Sequence, residues 1–302
     1  MIDPHQIAQL STEQRNPATM ELDTFTPLQI VQAMNTEDAN AVRAVERVLP
    51  SVAAAVQCAA DSLRAGGRIV YLGAGTSGRL GVLDAVECPP TFGVDPDMVV
   101  GLIAGGKDAF VKAREGAEDD EGQGMKDLQG IGLESRDFVV GLAASGRTPY
   151  VIGGLKYARE TGCKTAAVAC TPESKIGQVA ELAIEPITGP EVLTGSTRLK
   201  AGTAQKLILN MISTGAMTLT GRVYQNLMVD VKQTNEKLRA RAINIVTMAC
   251  GCDTDRARNA LVNAEGSVKL AIASILLDLP VDEAAAALQH ADGHVRRAIE
   301  NQ

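Results

Sequence analysis

Between residues 68 and 184 the chain alternates short, continuous apolar runs with stretches of helical spacing. The runs lie at 68–72, 98–103, 138–143, 165–170 and 182–184. Helical stretches fall between most of them, at 77–86, 109–116, 149–160 and 175–179. A run that is apolar throughout, yet too short for a helix, is what a strand buried on both faces of a parallel sheet looks like. The alternation predicts an α/β fold: a doubly wound, five-stranded parallel sheet with flanking helices. Ligands of such sheets sit beyond the carboxyl ends of the strands. The turns that follow the runs are therefore the first places to look for a site.

The flanks differ. Residues 1–26 are polar, with Pro4 and Pro17, and read as a loose N-terminal segment. Residues 27–65 read as helical, broken near 35–38 and again at Pro50, with Val42, Val45, Val48 and Leu49 at helical spacing. A long helical region covers 200–250, punctuated near 221–230. From Asp253 the pattern becomes short amphipathic helices at 254–264, 267–277, 281–289 and 294–300, separated by Gly266, Pro280 and Gly293. The expected organisation is a loose segment at 1–26, an α/β domain with its N-terminal helices at 27–252, and a small helical bundle at 253–302.

The turn after the first run reads YLGAGTSGRLGVLDAVECPP from Tyr71 to Pro90. Thr76, Ser77 and Gly78 open a helix with hydroxyls and free backbone N–H groups, which suits a phosphate. Glu87 stands just before Cys88-Pro89-Pro90. Those neighbours predict partial burial, which would raise its pKa and favour a proton donor. Gly73, Gly75 and Gly78 also match G-x-G-x-x-G. A dinucleotide site needs an acidic residue at the end of the next strand, where this chain has Ala104-Gly105-Gly106. The turn after the third run carries Ser145, Gly146, Arg147 and Thr148, followed by Pro149. Capping a helix needs one hydroxyl, whereas this turn has two and a glycine, which favours a phosphate. A third cluster, Ser196, Arg198 and Lys200, precedes the long helix. Cations at a helix N-terminus oppose its dipole, which favours an anionic ligand there.

Composition removes several classes. The chain of 302 residues is 45% hydrophobic, enough to bury a core. Aromatics are 3% with no tryptophan, and the net charge is −7 with no lysine-arginine block. Nucleic acid is therefore not an expected partner. The six cysteines have no framework spacing, and no apolar run is of membrane length. A cytoplasmic location without a membrane partner is expected. Cys250 and Cys252 with His290 and His294 lack the spacing of a zinc knuckle. No metal and no cofactor are expected.

The glycine turn, the S-G-x-T turn and the alternating strands resemble a sugar isomerase (SIS) domain, which binds phosphosugars. Members of that superfamily often carry a serine where this chain has Ala143, which leaves Ser145 and Thr148 to do more of the gripping. More narrowly, GAGTSGRLGVLDAVECPPTFG, GLIAGG, EGAEDD and GPEVLTGSTRLKAGTAQK resemble the N-acetylmuramic acid 6-phosphate etherase family. The likeness runs from about Leu22 through the C-terminal bundle, which is similar to that family's ubiquitin-associated-like domain. Glucokinase regulatory protein shares part of it. The resemblance implies cleavage of a lactyl ether on a phosphosugar by elimination and water addition, with Glu87 as acid and Glu118 as base. It also implies a homodimer, an expectation the apolar length of residues 203–219 supports. Asn235, Lys237 and Arg241 then read either as a polar helix face or as residues reaching a site across the dimer interface. A phosphosugar isomerase and a non-catalytic sugar-phosphate sensor are the competing readings.

Overall fold

A computed structural model describes residues 11–112, 114–233 and 235–301. The chain divides into two compact units. One takes in the chain up to Ala85 together with Asp97–Ser213, and the other comprises Val86–Pro96 and Thr214–Gln302. The helical C-terminal unit thus starts well before residue 253 and includes a short segment from the middle of the chain.

The first unit is built on a parallel sheet of β1 (Ile69–Gly73), β2 (Val99–Ile103), β3 (Phe138–Leu142), β4 (Lys164–Val168) and β5 (Leu182–Ile184), in the order β2-β1-β3-β4-β5. β1 and β3 are buried at every position, as continuous apolar runs require. Gly73 ends β1 level with Ile103 and Leu142, so three strands finish at one edge of the sheet.

Helices α1 (Pro27–Glu46) and α2 (Leu49–Arg64) precede the sheet. Thr26 and Gln29 form a reciprocal capping box at the start of α1. The helix runs unbroken through 35–38, where a break was expected. Pro50 lies in the first turn of α2, so it opens that helix rather than interrupting one. Helix α3 (Gly75–Phe92) follows β1, and it continues through Pro89 and Pro90 instead of stopping at 86.

The expected helix at 109–116 is absent. A 3-10 turn at Lys107–Phe110 takes its place, and α4 (Glu121–Gly130) begins later. Gly105, Gly106 and Gly116 have φ of +88°, +78° and +76°, a conformation that ends a helix. At Gly124, α4 packs closely against α5 (Pro149–Glu160). A Cβ at Gly124 would lie 2.0 Å from the Tyr150 carbonyl oxygen, and one at Gly153 would lie 1.9 Å from that of Glu121. The short helix α6 (Lys175–Val179) follows β4, and α7 (Lys200–Leu219) follows the sheet.

The segment from Ser11 to Thr26 is not loose. Thr19 Oγ1 donates to the Val192 carbonyl (2.9 Å) and Asn16 Nδ2 to that of Pro190 (3.3 Å). Residues 1–10 of the segment lie outside the described residues.

The second unit contains the hairpin β6 (Val223–Tyr224) and β7 (Leu227–Met228), then α8 (Glu236–Cys250), α9 (Thr254–Asn263), α10 (Val268–Leu277), α11 (Val281–His290) and α12 (Val295–Glu300). Its core includes Val246, Ala271, Ile272, Ala284 and Val295. Asn235, Asp253 and Ser267 cap the N-termini of α8, α9 and α10 with their side chains. Among the described residues, no single helix is long and apolar enough to cross a membrane.

Candidate active site

Two cavities open at the carboxyl edge of the parallel sheet. The first, of about 170 Å³, follows β1 and β2 and is lined by Gly75, Arg79, Arg114 and Glu118 among others. Gly75, with φ +52°, turns the chain from β1 into α3. The first intrahelical bond runs from the Gly78 N–H to the Ala74 carbonyl (3.0 Å). The amides before it open the helix with their N–H groups toward its N-terminal end, where an anion is favoured. Arg79 donates through Nε to the Phe110 carbonyl and through Nη2 to that of Ala109, both at 2.8 Å. It thereby fixes the 3-10 turn that walls the cavity. Glu118 is exposed on a second 3-10 turn, Ala117–Asp119, introduced by left-handed Gly116.

The second cavity, also about 170 Å³, follows β3 and β4. Ser145, Gly146 and Arg147 line one side, and Thr171, Ser174 and Lys175 the other. Gly146 has φ +70°, and a Cβ there would lie 2.5 Å from that of Ser174. Only glycine lets the two turns meet so closely. Thr148 stands before α5 but makes no capping hydrogen bond, so the capping reading of its hydroxyl is not realised. Cys170 lies just beyond β4, fully buried, and burial pushes its thiol up to about 12. It is therefore a neutral packing residue and no nucleophile.

The start of α7 packs beside the start of α3. A Cβ on Gly202 would sit 3.5 Å from Thr76 Cγ2, and Ser77 Oγ donates to Gln205 Oε1 (2.8 Å). The first and third sequence clusters are thus neighbours. Ser196 is half-buried in the loop leading to α7, and Arg198 is exposed.

Several expected roles change. Lys200 is 1% exposed, and its ammonium is paired with the Glu37 carboxylate of α1. Its charge is paired inside the fold. Ser77 is buried and its proton is spent on Gln205. Gly78 serves packing: a Cβ there would lie 2.7 Å from the Gly73 carbonyl oxygen. Glu87 is exposed, and so is Val86 at 58%, while Cys88 is buried. The expected enclosure of Glu87 is therefore missing from the chain. Helical periodicity explains this: Asp84, Ala85, Cys88 and Phe92 share the buried face, and Glu87 lies off it. Asn235 is spent as the cap of α8, while Lys237 and Arg241 are exposed.

Residues 51–159 match the family model of the glucokinase regulatory protein N-terminal SIS domain, and residues 225–269 match that of its C-terminal lid domain. An N-acetylmuramic acid 6-phosphate etherase of Pectobacterium atrosepticum is 58% identical over 96% of this chain and 96% of its own length. One of Vibrio campbellii is 56% identical over 98% of this chain and 96% of its own. The chain belongs to the N-acetylmuramic acid 6-phosphate etherase family. A solved Bacteroides fragilis protein, assigned as a phosphosugar isomerase involved in capsule formation, is 18% identical. It matches 67% of this chain and 95% of its own with a TM-score of 0.52, a likeness of fold.

Within this etherase-family chain, two residues the sequence reading missed hold the site's frame. Gln205 receives the Ser77 hydroxyl, and nothing marks it in a run of helical spacing. Glu191 is 1% exposed and accepts the N–H groups of Lys200 (3.1 Å) and Ala201 (2.9 Å), closing the N-terminus of α7. Burial raises its pKa against the lowering effect of those two amides. A glutamate nine residues ahead of a helix start gives no local capping signal, because the loop must fold back to bring it there.

Proposed function

We propose that the chain cleaves the D-lactyl ether of N-acetylmuramic acid 6-phosphate, giving N-acetylglucosamine 6-phosphate and D-lactate. The observation that carries this reading is the near-full-length identity of 58% and 56% to etherases of that name. An unactivated ether resists displacement by water. In the open-chain sugar, however, the aldehyde acidifies the proton on C2. Glu118 removes that proton, the C3–O bond breaks, and Glu87 protonates the departing lactate oxygen. Water then adds at C3 of the unsaturated aldehyde and C2 regains a proton. Atoms and charge balance with two carboxylates and one water, and no electron changes hands.

The geometry supports this assignment for Glu118, which lines a cavity floored by the Gly75 turn and flanked by Arg79 and Arg114. Thr76, Ser145, Gly146, Arg147, Thr148, Ser196 and Arg198 are the remaining candidates for gripping the phosphosugar. Exposed Glu87 acts from the last part of α3. The protein works as a homodimer, a reading that rests on the family resemblance, and in the cytoplasm, a reading that rests on cysteines without framework spacing. The apolar side chains of α7 such as Ile208, Leu209 and Ile212 are already buried within the chain.

Turnover of purified protein, followed as D-lactate release in EDTA, tests the roles. Glu87→Gln and Glu118→Gln are each expected to lose about 10²- to 10⁴-fold in kcat, the usual worth of a general acid or base. Near-native turnover in both variants would overturn the two-carboxylate mechanism.

A further inference from the structure

We propose that Asp230, braced by Lys269 and Arg222, positions Glu87 within the helical C-terminal unit. The proposal rests on the catalytic role assigned to Glu87 above.

Helix α3 contains Pro89 and Pro90, which have no N–H to donate. The carbonyls of Ala85 and Val86, four residues before them, lose their regular helical partners. Two consecutive rungs are missing at the turn that carries Glu87. That turn is held together locally, by Thr91 Oγ1 donating to the Glu87 carbonyl (2.7 Å) and the Gly93 N–H to that of Pro89 (3.0 Å). The compact unit it belongs to is the C-terminal one, through Val86–Pro96.

The contact that fastens it there is specific. Gly93 has φ +65°, and a Cβ at that position would lie 2.0 Å from the Asp230 carbonyl oxygen. The two backbones therefore touch directly. Asp230 is in turn held by its side chain. Its carboxylate accepts from Lys269 Nζ on α10 (2.7 Å) and pairs with Arg222 Nη1 just before β6 (3.5 Å). The side chains of Asp230 and Lys269 are 18% and 16% exposed, so the pair is largely sheltered from screening water. Two side chains, one from α10 and one from just before β6, converge on the residue against which Gly93 rests. Glu87 itself is exposed among the described residues. Its backbone mount is what sets its place.

The test measures kcat and KM for D-lactate release with the full chain, at a temperature well below the thermal midpoint of every variant. Asp230→Asn keeps the backbone contact and the side-chain shape but removes the charge. It is expected to lower kcat about tenfold or more, as small misplacements of a catalytic group do, with KM within about twofold of the wild type. Lys269→Met is expected to follow it, and Lys269→Arg to restore most of the lost kcat. If Asp230→Asn does not fold, the two Lys269 variants give the same answer. Wild-type kcat in Asp230→Asn or Lys269→Met would overturn the proposal. So would a drop shared equally by Lys269→Met and Lys269→Arg. Glu87→Gln is measured alongside. Native turnover in that variant would remove the role of Glu87 itself, a failure separable from that of its mount.

Discussion

The ammonium of Lys200, at the start of α7, is buried against the carboxylate of Glu37 on α1. A cation that the sequence offers to a phosphate is thereby a structural tie between two helices. Removing one partner of a buried pair leaves the other uncompensated, at a cost of about 3 kcal/mol or more. Lys200→Met is therefore expected to lower the stability measured by urea unfolding by about that amount. The double variant Lys200→Met/Glu37→Leu should recover much of it. An unchanged urea midpoint with a raised KM would instead restore Lys200 as a substrate ligand.

Acid stability follows from two carboxylates. For Glu37, burial alone would raise the pKa, but hydrogen bonding and charge from Lys200, with Asn16 and Asn40, hold it below its ordinary 4.5. For Asp137, burial is likewise outweighed by Arg68, whose Nη2 lies 2.6 Å away, and by the Glu134 amide. Both folded values lie below the unfolded ones. The stability they contribute is complete above the ordinary values of 4.5 and 3.8, and is lost as pH falls through the lowered folded values. Arg68→Met should lower stability at neutral pH and lose less on acidification than the wild type does. Urea midpoints at pH 7 and pH 3 read this directly. A parallel loss in both proteins would contradict it.

Ser77 and Thr148, from the turns after β1 and β3, should part company. Ser77 donates to buried Gln205, so Ser77→Ala is expected to cost about 1–2 kcal/mol of stability. Thr148 makes no capping bond. Thr148→Ala should change stability by no more than about 0.5 kcal/mol while raising KM about tenfold, the worth of a hydrogen bond to a charged group. Thermal unfolding and KM for the sugar phosphate, measured on both variants, check the contrast.

Gly146 joins the turns after β3 and β4. Alanine there meets an unfavourable φ of +70° and a Cβ 2.5 Å from that of Ser174. The conformation alone costs about 1–2 kcal/mol. Gly146→Ala is expected to push the turns apart and raise KM more than it lowers kcat. A variant with wild-type KM would show that the second cavity does not hold the substrate.

The strands were legible because β1, β3 and most of β4 are apolar and buried on both faces, a pattern no other element of that length produces. Helix α4 was not, because Gly122, Gly124 and Gly130 weaken its helical pattern. Gly124 is there to admit the backbone of α5, a contact that exists only in the folded chain. The same limit applies to the site. Thr76, Ser145 and Gly146 stood out as candidates because a turn after a strand is a local feature, and Ser145 and Gly146 line the second cavity. The burial of Lys200 was not legible because its partner Glu37 lies 163 residues away. Glu87 was expected to be partly buried because prolines and a cysteine surround it. Its exposure is set by the helical face it occupies, which only the continuation of α3 past residue 86 defines.

The most direct measurement of the central claim is turnover of N-acetylmuramic acid 6-phosphate in ¹⁸O-labelled water, with the sugar and lactate products weighed separately. Elimination followed by addition breaks the C3–O bond. It predicts that D-lactate leaves unlabelled in equal amount with N-acetylglucosamine 6-phosphate carrying one solvent oxygen at C3. Solvent oxygen in the newly freed hydroxyl of lactate, or no lactate at all, would contradict it.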